Sequence, residues 1–272
     1  MLMTLETEVE IASAAKLIAQ YFCGVILLAV IFILSAVDSF AVYPTTSHRA
    51  ETHGQNNKSI GFNYSYEYEE DEKTGDIFRT NEYDTILSYG LLDNLDIIGQ
   101  VPLKQISREN ERDYSGVDDI SLEAKWKFYN TESLNLAVYP EVTLPTGGYK
   151  NGVGNGRATF ATTLIASKKI DRFSFHISGQ YTRNENKTND RLNLWEAHFS
   201  PVITVVEGFS LIGDVGLRRD DDKTNKKLPI SVSGGFSYGI TKNFSVTPVF
   251  KSEWNNEDKK DLTLTISSLL KF

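Results

Sequence analysis

The sequence has little of three features that would indicate a thiol enzyme, a nucleic-acid-binding protein or a helical membrane protein. Cys23 is the only cysteine among 272 residues, and the formal net charge is −8. This acidic balance argues against a nucleic-acid partner, because no basic face is available to displace counterions. Mean hydropathy is −0.28. The one apolar run that approaches a membrane-spanning helix, residues 25–37, is shorter than the roughly 18–20 residues that a bilayer requires.

That apolar run has the layout of a secretory signal peptide. Lys16 precedes it, and Ser39 and Ala41 place small residues at the two key positions of a cleavage site. We therefore predict that residues 1–41 are a signal peptide removed after Ala41, with an uncleaved membrane anchor as the alternative. The mature chain would contain no cysteine, which excludes thiol catalysis, disulfide bonds and cysteine metal sites. No cofactor is indicated.

Beyond residue 58, most segments alternate apolar and polar residues with a period of two. In residues 120–128, for example, Leu122 falls on one face and Glu123 and Lys125 fall on the other. Because successive side chains of a strand point to opposite faces, this pattern predicts a strand with one apolar and one wet side. A break in phase near Trp195 predicts one β-bulge.

The spacing of these runs predicts a membrane barrel. There are about twelve, each close to the 9–11 residues that a tilted membrane strand needs. The connections alternate between long polar segments, such as residues 147–156, and tight turns, such as Glu207-Gly208. This asymmetry is typical of bacterial outer-membrane barrels. We predict an all-β, antiparallel, up-and-down transmembrane β-barrel over residues 59–272. Residues 42–58 are predicted to be a short periplasmic segment that is too short for a folded plug and could at most line the lumen.

Alternation alone does not decide which face points inward, since a soluble lipocalin-like barrel would show the inverted pattern. Aromatic residues near strand ends, such as Tyr64, Trp126 and Trp254, favour the aromatic girdles of a membrane barrel. The other face carries more charge than a protein core tolerates, because an unpaired buried charge costs several kcal/mol. We therefore predict a wet lumen. The predicted lumen-facing residues are Glu123, Lys125, Lys127, Glu141, His176, Gln180, Asp214, Lys251 and Glu253.

The last residue, Phe272, falls on the apolar face of its predicted strand together with Leu270. A terminal aromatic residue on an alternating strand resembles the signal by which the outer-membrane assembly machinery recognises its clients. We therefore expect Phe272 to be an assembly signal. The expected location is the cell outer membrane, and the expected partners are the barrel-assembly machinery and outer-membrane lipid.

Several local patterns occur in an order that resembles one family of outer-membrane barrels. They are the turn at residues 89–96, Val101-Pro102-Leu103, residues 116–119 followed by 124–128, Leu144-Pro145-Thr146-Gly147, and residues 238–244, which repeat the plan of the first turn. The chain is similar in these patterns to the MetA-pathway family of phenol degradation, whose members are often called transporters. The resemblance spans about residues 60–272 and implies the passage of small aromatic or other hydrophobic compounds.

Two polar pairs raise the question of enzymatic or metal chemistry. Outer-membrane phospholipases are also twelve-stranded barrels, with a histidine and a serine two residues apart that face lipid. Here His176 and Ser178 are predicted to face the lumen, and the phospholipase sequence Asn-Gly-Arg-Ser does not follow them. His198 and Glu196 share a face, but two ligands without a third more often belong to a hydrogen-bond network. We predict neither an enzyme nor a metal site.

The predicted function is passive passage of small hydrophobic or aromatic molecules, with a closed structural or surface-interaction barrel as the alternative. The predicted lumen wall mixes charges of both signs with hydroxyl and amide groups and has no ring of one sign, which favours neutral solutes over ions. Glu123 is expected to be hydrated in this lumen. Gly235 is expected to face inward and to leave space there.

Overall fold

Strands account for most of the part of the chain that the structure describes. The computed structural model describes residues 48–71, 75–109, 113–254 and 259–272, so the predicted signal peptide lies outside the described residues. The strands are β1 (Lys58–Asp71), β2 (Ile77–Leu92), β3 (Leu95–Arg108), β4 (Tyr114–Val117), β5 (Ile120–Asn130), β6 (Leu134–Leu144), β7 (Thr159–Ile170), β8 (Phe173–Arg183), β9 (Asn193–Val206), β10 (Phe209–Arg218), β11 (Ile230–Gly239), β12 (Phe244–Trp254) and β13 (Lys259–Lys271). Within the described ranges, no helix has the length and hydrophobicity that a bilayer crossing requires.

The thirteen strands close into a barrel of twelve crossings. β1 pairs antiparallel with β2 on one side and with β13 on the other, so that Ser59 lies opposite both Ser88 and Lys271. β4 and β5 both pair with β3 and are separated by Asp118 and Asp119, and together they make one crossing. Closure pairs the first strand with the last, which removes the open edges that hydrocarbon would not tolerate. The predicted fold class is confirmed.

The connections differ in length at the two ends of the barrel. At one end, called here the short-turn end, strands are joined by tight turns such as Glu207-Gly208. Gly208 has a φ of 77°, a backbone conformation that residues with a side chain rarely adopt. At the other end, called the long-loop end, the connections include residues 145–158, 184–192 and 219–229. The two ends therefore differ in the way that the sequence predicts.

Apolar side chains lie on the outside of the barrel, and most of the inward side chains are polar. On β7, Phe160 and Leu164 are 55% and 61% exposed, whereas their inward neighbour Thr163 is 1% exposed. Inward Asp214 of β10 is 2% exposed, and its outward neighbour Val215 is 48% exposed. A soluble barrel would bury its apolar face. The lipocalin-like alternative is therefore wrong.

The predicted β-bulge near Trp195 is also wrong. β8 and β9 pair without interruption over residues 173–183 and 193–203. Leu194 is an inward-facing apolar residue in a regular ladder, and its apolar character was the source of the apparent break in phase. The register shift of β9 lies instead at the short-turn end, where β9 meets the start of β10.

Residues 48–54 lie inside the barrel at the short-turn end, and the exposed residues 55–57 connect them to β1. Ala50 is fully buried, and its backbone N–H donates a hydrogen bond to Ser167 Oγ over 2.9 Å. Asn56 N–H donates to Gly90 O over 2.8 Å, close to the point where β1 begins. These residues, called here the N-terminal segment, are the described part of the predicted segment 42–58. They bring side chains of their own into the lumen.

Candidate functional site

Ser167 of β7 holds the N-terminal segment against the barrel wall. Its Oγ accepts the Ala50 N–H and lies 2.8 Å from Nδ1 of His176, which is opposite it on β8. Sequence reasoning considered His176 together with Ser178, but the hydroxyl that contacts its ring belongs to Ser167. His176 therefore takes part in positioning the segment within the lumen.

His53 anchors the other part of the N-terminal segment. Its Nδ1 lies 2.8 Å from Asp96 Oδ2, and its Nε2 lies 2.9 Å from Ser59 Oγ. The backbone N–H of His53 also donates to both Asp96 oxygens, each over 3.1 Å. Asp96 is fully buried, so these hydrogen bonds replace the water that its carboxylate has lost. Sequence reasoning missed this anchor, because His53 and Asp96 are 43 positions apart.

An apolar cluster forms inside the lumen around the N-terminal segment. Its members are Ala50, Ile98, Ala137, Tyr139 and Ile165, with Ile86 packed against them. The ring of His48 lies beside that of Tyr139, with a centroid distance of 4.8 Å. Burial, aided by the positive charge of Lys125, lowers the pKa of His48 to about 4, so its ring is neutral at pH 7. The lumen is polar overall but contains an apolar patch at this level.

The carboxylate of Glu123 is bound within the wall. It accepts a hydrogen bond from Ser121 Oγ over 2.7 Å and another from the hydroxyl of Tyr139. Glu123 is 9% exposed. The ammonium of Lys125 lies 5.5 Å from the centroid of the Tyr139 ring. Glu123 and Lys125 thus help to fix the aromatic ring that belongs to the apolar cluster.

Glu141, Gln180 and Lys127 lie on the inward faces of their strands. Thr143 Oγ1 donates to Glu141 over 3.1 Å, and Thr163 Oγ1 donates to Gln180 Oε1 over 2.7 Å. Both contacts are towards the long-loop end. Lys127 is half-buried near the short-turn end, opposite Ala137. These residues are polar positions of the lumen wall over β5 to β8, on the same inward faces as Ala137, Tyr139 and Ile165 of the apolar cluster.

His198 of β9 lies between two carboxylates. Its Nδ1 is 3.0 Å from Asp214 Oδ1, and its Nε2 is 3.9 Å from Glu196 Oε2. Across the described ranges, no group of three or more His, Cys, Asp or Glu side chains is arranged to hold a metal ion. The geometry is that of a hydrogen-bonded ion-pair network in which the imidazole links β9 to β10.

Glu253 forms a bidentate ion pair that crosses β11. Arg218 donates from one terminal nitrogen to Glu253 Oε1 over 2.7 Å and from Nε to Oε2 over 3.1 Å. Paired N–H···O bonds of this type are among the strongest polar contacts in proteins. Lys251 lies on the same inward face, opposite Ser233 and Thr263. This side of the lumen is therefore lined by fixed charges of both signs.

Three cavities follow one another along the lumen. The outer cavity, at the long-loop end, has a volume of about 370 Å³, the middle cavity about 350 Å³, and the inner cavity, at the short-turn end, about 370 Å³. Gln100 and Glu141 line both the outer and the middle cavity, and Arg49 lines both the middle and the inner one. The cavities therefore adjoin one another, and Arg49 of the N-terminal segment lies between the middle and the inner cavity.

The outer cavity is acidic. The carboxylates in its lining are those of Glu82, Asp118, Asp119, Glu141 and Asp190. Lys104 lies among them, with its ammonium 2.7 Å from Asp118 and 3.6 Å from Glu82. Negative charge therefore predominates in this cavity. Acidic residues that are far apart in sequence converge here from β2, β6 and the long loops.

Asp119 shapes the entrance to the outer cavity. Its carboxylate accepts the N–H of Gly147 over 2.8 Å and the N–H of Asn155 over 2.7 Å. Asp119 is 7% exposed. The loop at residues 145–158 is thereby tied to the barrel wall, and it narrows the long-loop end.

Gly235 does not leave space in the lumen. A Cβ atom at this position would lie 2.3 Å from Pro248 O and 2.7 Å from Val249 Cγ2. The expectation of space is wrong because the backbone of β12 approaches β11 closely at this point. Gly61 of β1 is the suitable position instead. A Cβ there would lie 3.5 Å from Ile86 Cβ and 3.7 Å from Ser268 O, which are ordinary contacts, and Gly61 lines the middle cavity.

A closed antiparallel barrel with an apolar exterior and a mostly polar interior defines the class of outer-membrane-type β-barrels. Within that class, the chain belongs to the family described as "Putative MetA-pathway of phenol degradation", whose sequence signature covers residues 75–260. The family resemblance predicted from the turn and strand motifs is confirmed. A search of curated proteins found no match.

Solved structures share the fold at low sequence identity. The COG4313 outer membrane channel from Pseudomonas putida F1 is 15% identical, with a TM-score of 0.70 over 85% of this chain and 100% of that one. The KdgM porin is 9% identical, with a TM-score of 0.55 over 78% and 99%. The translocator domain of the autotransporter NalP from Neisseria meningitidis is 9% identical, with a TM-score of 0.52 over 82% and 91%. These likenesses extend to the barrel architecture alone.

Proposed function

We propose that this protein is an outer-membrane channel for the passive passage of small apolar or aromatic molecules. The observation that carries the proposal is the succession of three adjoining cavities from the long-loop end to the short-turn end. Their volumes, about 350 Å³ for the middle cavity and about 370 Å³ for the other two, fall within the range of small-molecule sites.

The chemistry of the middle cavity supports an apolar cargo. Its lining combines Ile86, Ile98, Tyr139 and Leu269 with amide, hydroxyl and charged groups. An apolar patch in an otherwise wet path lowers the free energy of an apolar solute at that level, while the polar groups around it remain solvated. The family description, which names phenol degradation, and the fold of an outer membrane channel from Pseudomonas putida F1 support the same proposal.

The exterior supports the proposed location in the outer membrane. Large apolar side chains such as Leu122, Leu164 and Phe250 are about half exposed or more, and lipid is the partner that would cover them. Phe272 is 63% exposed on the same face, as an assembly signal should be if the barrel-assembly machinery is to reach it.

A closed structural barrel remains the second candidate, because the N-terminal segment fills much of the short-turn half of the lumen. Conductance of the purified mature barrel in a planar bilayer separates the two candidates. Discrete current steps are expected of a channel. A barrel that inserts fully, as shown by heat-modifiable migration, but never conducts would favour the structural function.

Uptake by cells tests the proposed cargo. A strain that lacks the protein should take up phenols and small aromatic hydrocarbons more slowly at low external concentration. Gly61→Trp should resemble the deletion, because the indole would project into the middle cavity. Gly99→Trp is the matched control, since Gly99 faces outward beside Leu122 and has room for a Cβ. Equal uptake in all four strains would remove the transport proposal.

A further inference from the structure

The inner cavity, at the short-turn end of the lumen, differs in charge from the acidic outer cavity. Arg49 of the N-terminal segment and Lys271 of β13 both line it. Lys271 lies opposite Ser59 of β1, which is 2% exposed and faces inward, so the lysine side chain also faces inward. Arg49 is 9% exposed and also lines the middle cavity. Two cationic side chains from distant parts of the chain therefore line one cavity.

Lys271 lacks an anionic partner among the described residues. Its side chain is half-buried, and within the part of the chain that the structure describes its ammonium makes neither a hydrogen bond nor an ion pair. The charged residue that acts on it electrostatically is Arg49, and this interaction is repulsive. Repulsion between like charges is stronger away from bulk water, because the effective dielectric constant is lower there. An anion between the two side chains would remove this cost.

The charge of the inner cavity matches a ligand with a single negative charge. Glu51 contributes the carboxylate of the described lining, and the charge of Arg49, two residues before it, attracts it. Lys58 also lines the cavity, but its ammonium lies over the outward-facing ring of Tyr89, 6.0 Å from the centroid. Glu51 thus balances Arg49, and the charge of Lys271 is left over. A carboxylate supplies one negative charge, whereas a phosphate monoester carries about two at pH 7.

The rest of the lining suits an organic ligand. The cavity has a volume of about 370 Å³, and its surface is a mixture of polar and apolar atoms. Asn243, whose backbone carbonyl accepts the N–H of Lys271 over 2.8 Å, also belongs to the lining and has an amide that can donate. The imidazole of His53 is already occupied by Asp96 and Ser59. A guanidinium, an ammonium and an amide are donors that suit carboxylate oxygens.

We infer that the inner cavity is a binding site for small organic carboxylates. The carboxylate lies between the ammonium of Lys271 and the guanidinium of Arg49, and the organic part of the ligand lies against the apolar atoms of the lining. This inference goes beyond the proposed function. It assigns an organic anion, a second class of ligand, to one end of the lumen, and it does not require that this anion passes through the barrel.

Fluorine NMR titration of the mature barrel in nanodiscs of zwitterionic lipid tests the site. Para-fluorobenzoate and para-fluorobenzamide are the matched ligands at neutral pH, since they share the ring and differ in charge. Empty nanodiscs measure the partition of each ligand into lipid. Wild-type protein is expected to bind the benzoate about tenfold or more tightly than the benzamide, which is the difference that one hydrogen bond between charged groups typically makes.

Three variants show whether Lys271 carries this preference. Lys271→Gln should weaken the binding of para-fluorobenzoate about tenfold or more and leave that of para-fluorobenzamide unchanged. Lys271→Arg keeps the positive charge and should keep most of the preference. Lys168→Gln is the matched control, because it removes a lysine charge at the same end of the barrel. Lys168 is exposed opposite Phe175 on the outward face, so this variant should bind both ligands as the wild type does.

Equal affinities of the wild type for the two ligands, no binding of the benzoate, or an equal effect of Lys271→Gln and Lys168→Gln would each overturn the inference. If Lys271→Gln does not fold, as judged by heat-modifiable migration, the wild-type comparison and Lys271→Arg still decide. Binding is measured without a current. A barrel that binds the benzoate but never conducts supports this inference and contradicts the proposed channel. One that conducts but does not distinguish the two ligands refutes this inference and leaves the channel standing.

Discussion

Replacing Leu122 by arginine tests which face of the barrel wall contacts hydrocarbon. Leu122 is 49% exposed on the outward face of β5, where it pairs with Gly99 and Val142. An arginine on the lipid side near the bilayer midplane costs about 2–4 kcal/mol. Thr143, the neighbour of Val142 in β6, faces the acidic outer cavity and is the matched position on the inward face.

Thr143→Arg should be nearly neutral. It removes the hydrogen bond from Thr143 to Glu141, worth about 0.5–1.5 kcal/mol. It adds a cation beside Glu141 and the other carboxylates of the outer cavity, which offsets that loss by about 0–1 kcal/mol. The two arginine variants should therefore differ by about 0.5–4.5 kcal/mol in the free energy of unfolding, with a central value of about 2.5 kcal/mol.

Urea unfolding in lipid vesicles measures this difference. The tryptophans at positions 126, 195 and 254 all lie on outward faces, so their fluorescence reports the transfer of the barrel from lipid to water. Equal destabilisation by the two variants, or a larger effect of Thr143→Arg, would refute the assignment of the two faces. Unchanged slopes of the unfolding curves are needed for the comparison to hold.

Two further predictions concern Phe272, at the carboxyl-terminal end of the barrel, and His48, in the N-terminal segment. Deleting Phe272 should leave the leader processed but strongly reduce the heat-modifiable folded form, because the deletion removes the terminal aromatic and both backbone hydrogen bonds with Lys58; an undiminished folded band would contradict this. The packing of the His48 ring against Tyr139 should be complete above pH 6.5 and should weaken as the pH falls towards 4. The reason is that the ring readily takes up a proton only when it leaves this buried position. Lys125, Glu196 and His198 face that ring. Conductance at pH 5 should exceed that at pH 7.5, and His48→Phe should remove the difference.

The barrel could be predicted from local sequence because its determinants are local. Each strand shows the apolar–polar pattern with a period of two, as in residues 120–128. Each connection shows its length directly in the sequence, as in the tight turn at Gly208. The break in phase at Trp195 was misread because a lumen wall accepts occasional apolar side chains such as Leu194. The inward positions of a membrane barrel therefore need not all be polar.

The contents of the lumen could not be predicted, because they depend on contacts between distant residues. Ala50 and Ser167 are 117 positions apart, and no local pattern in residues 48–57 indicates that they meet. The same reason explains the error at Gly235, whose surroundings depend on the path of β12. The pattern of a single strand determines which side chains face inward. The space and the hydration around those side chains depend on contacts across the whole barrel.

The pairing of β1 with β13 has a consequence for the order in which the molecule is made. Ser65 and Thr265, which are hydrogen-bonded across this seam, are 200 positions apart in the chain. The other strand pairs join consecutive strands, or β3 with β5 across the short β4, and can form as the chain emerges, but the seam must wait for the last strand. Until then, two strand edges would expose unpaired backbone groups that aggregate readily in water. Closure of the barrel is therefore the last pairing step of folding, at a time set by the arrival of the carboxyl-terminal residues.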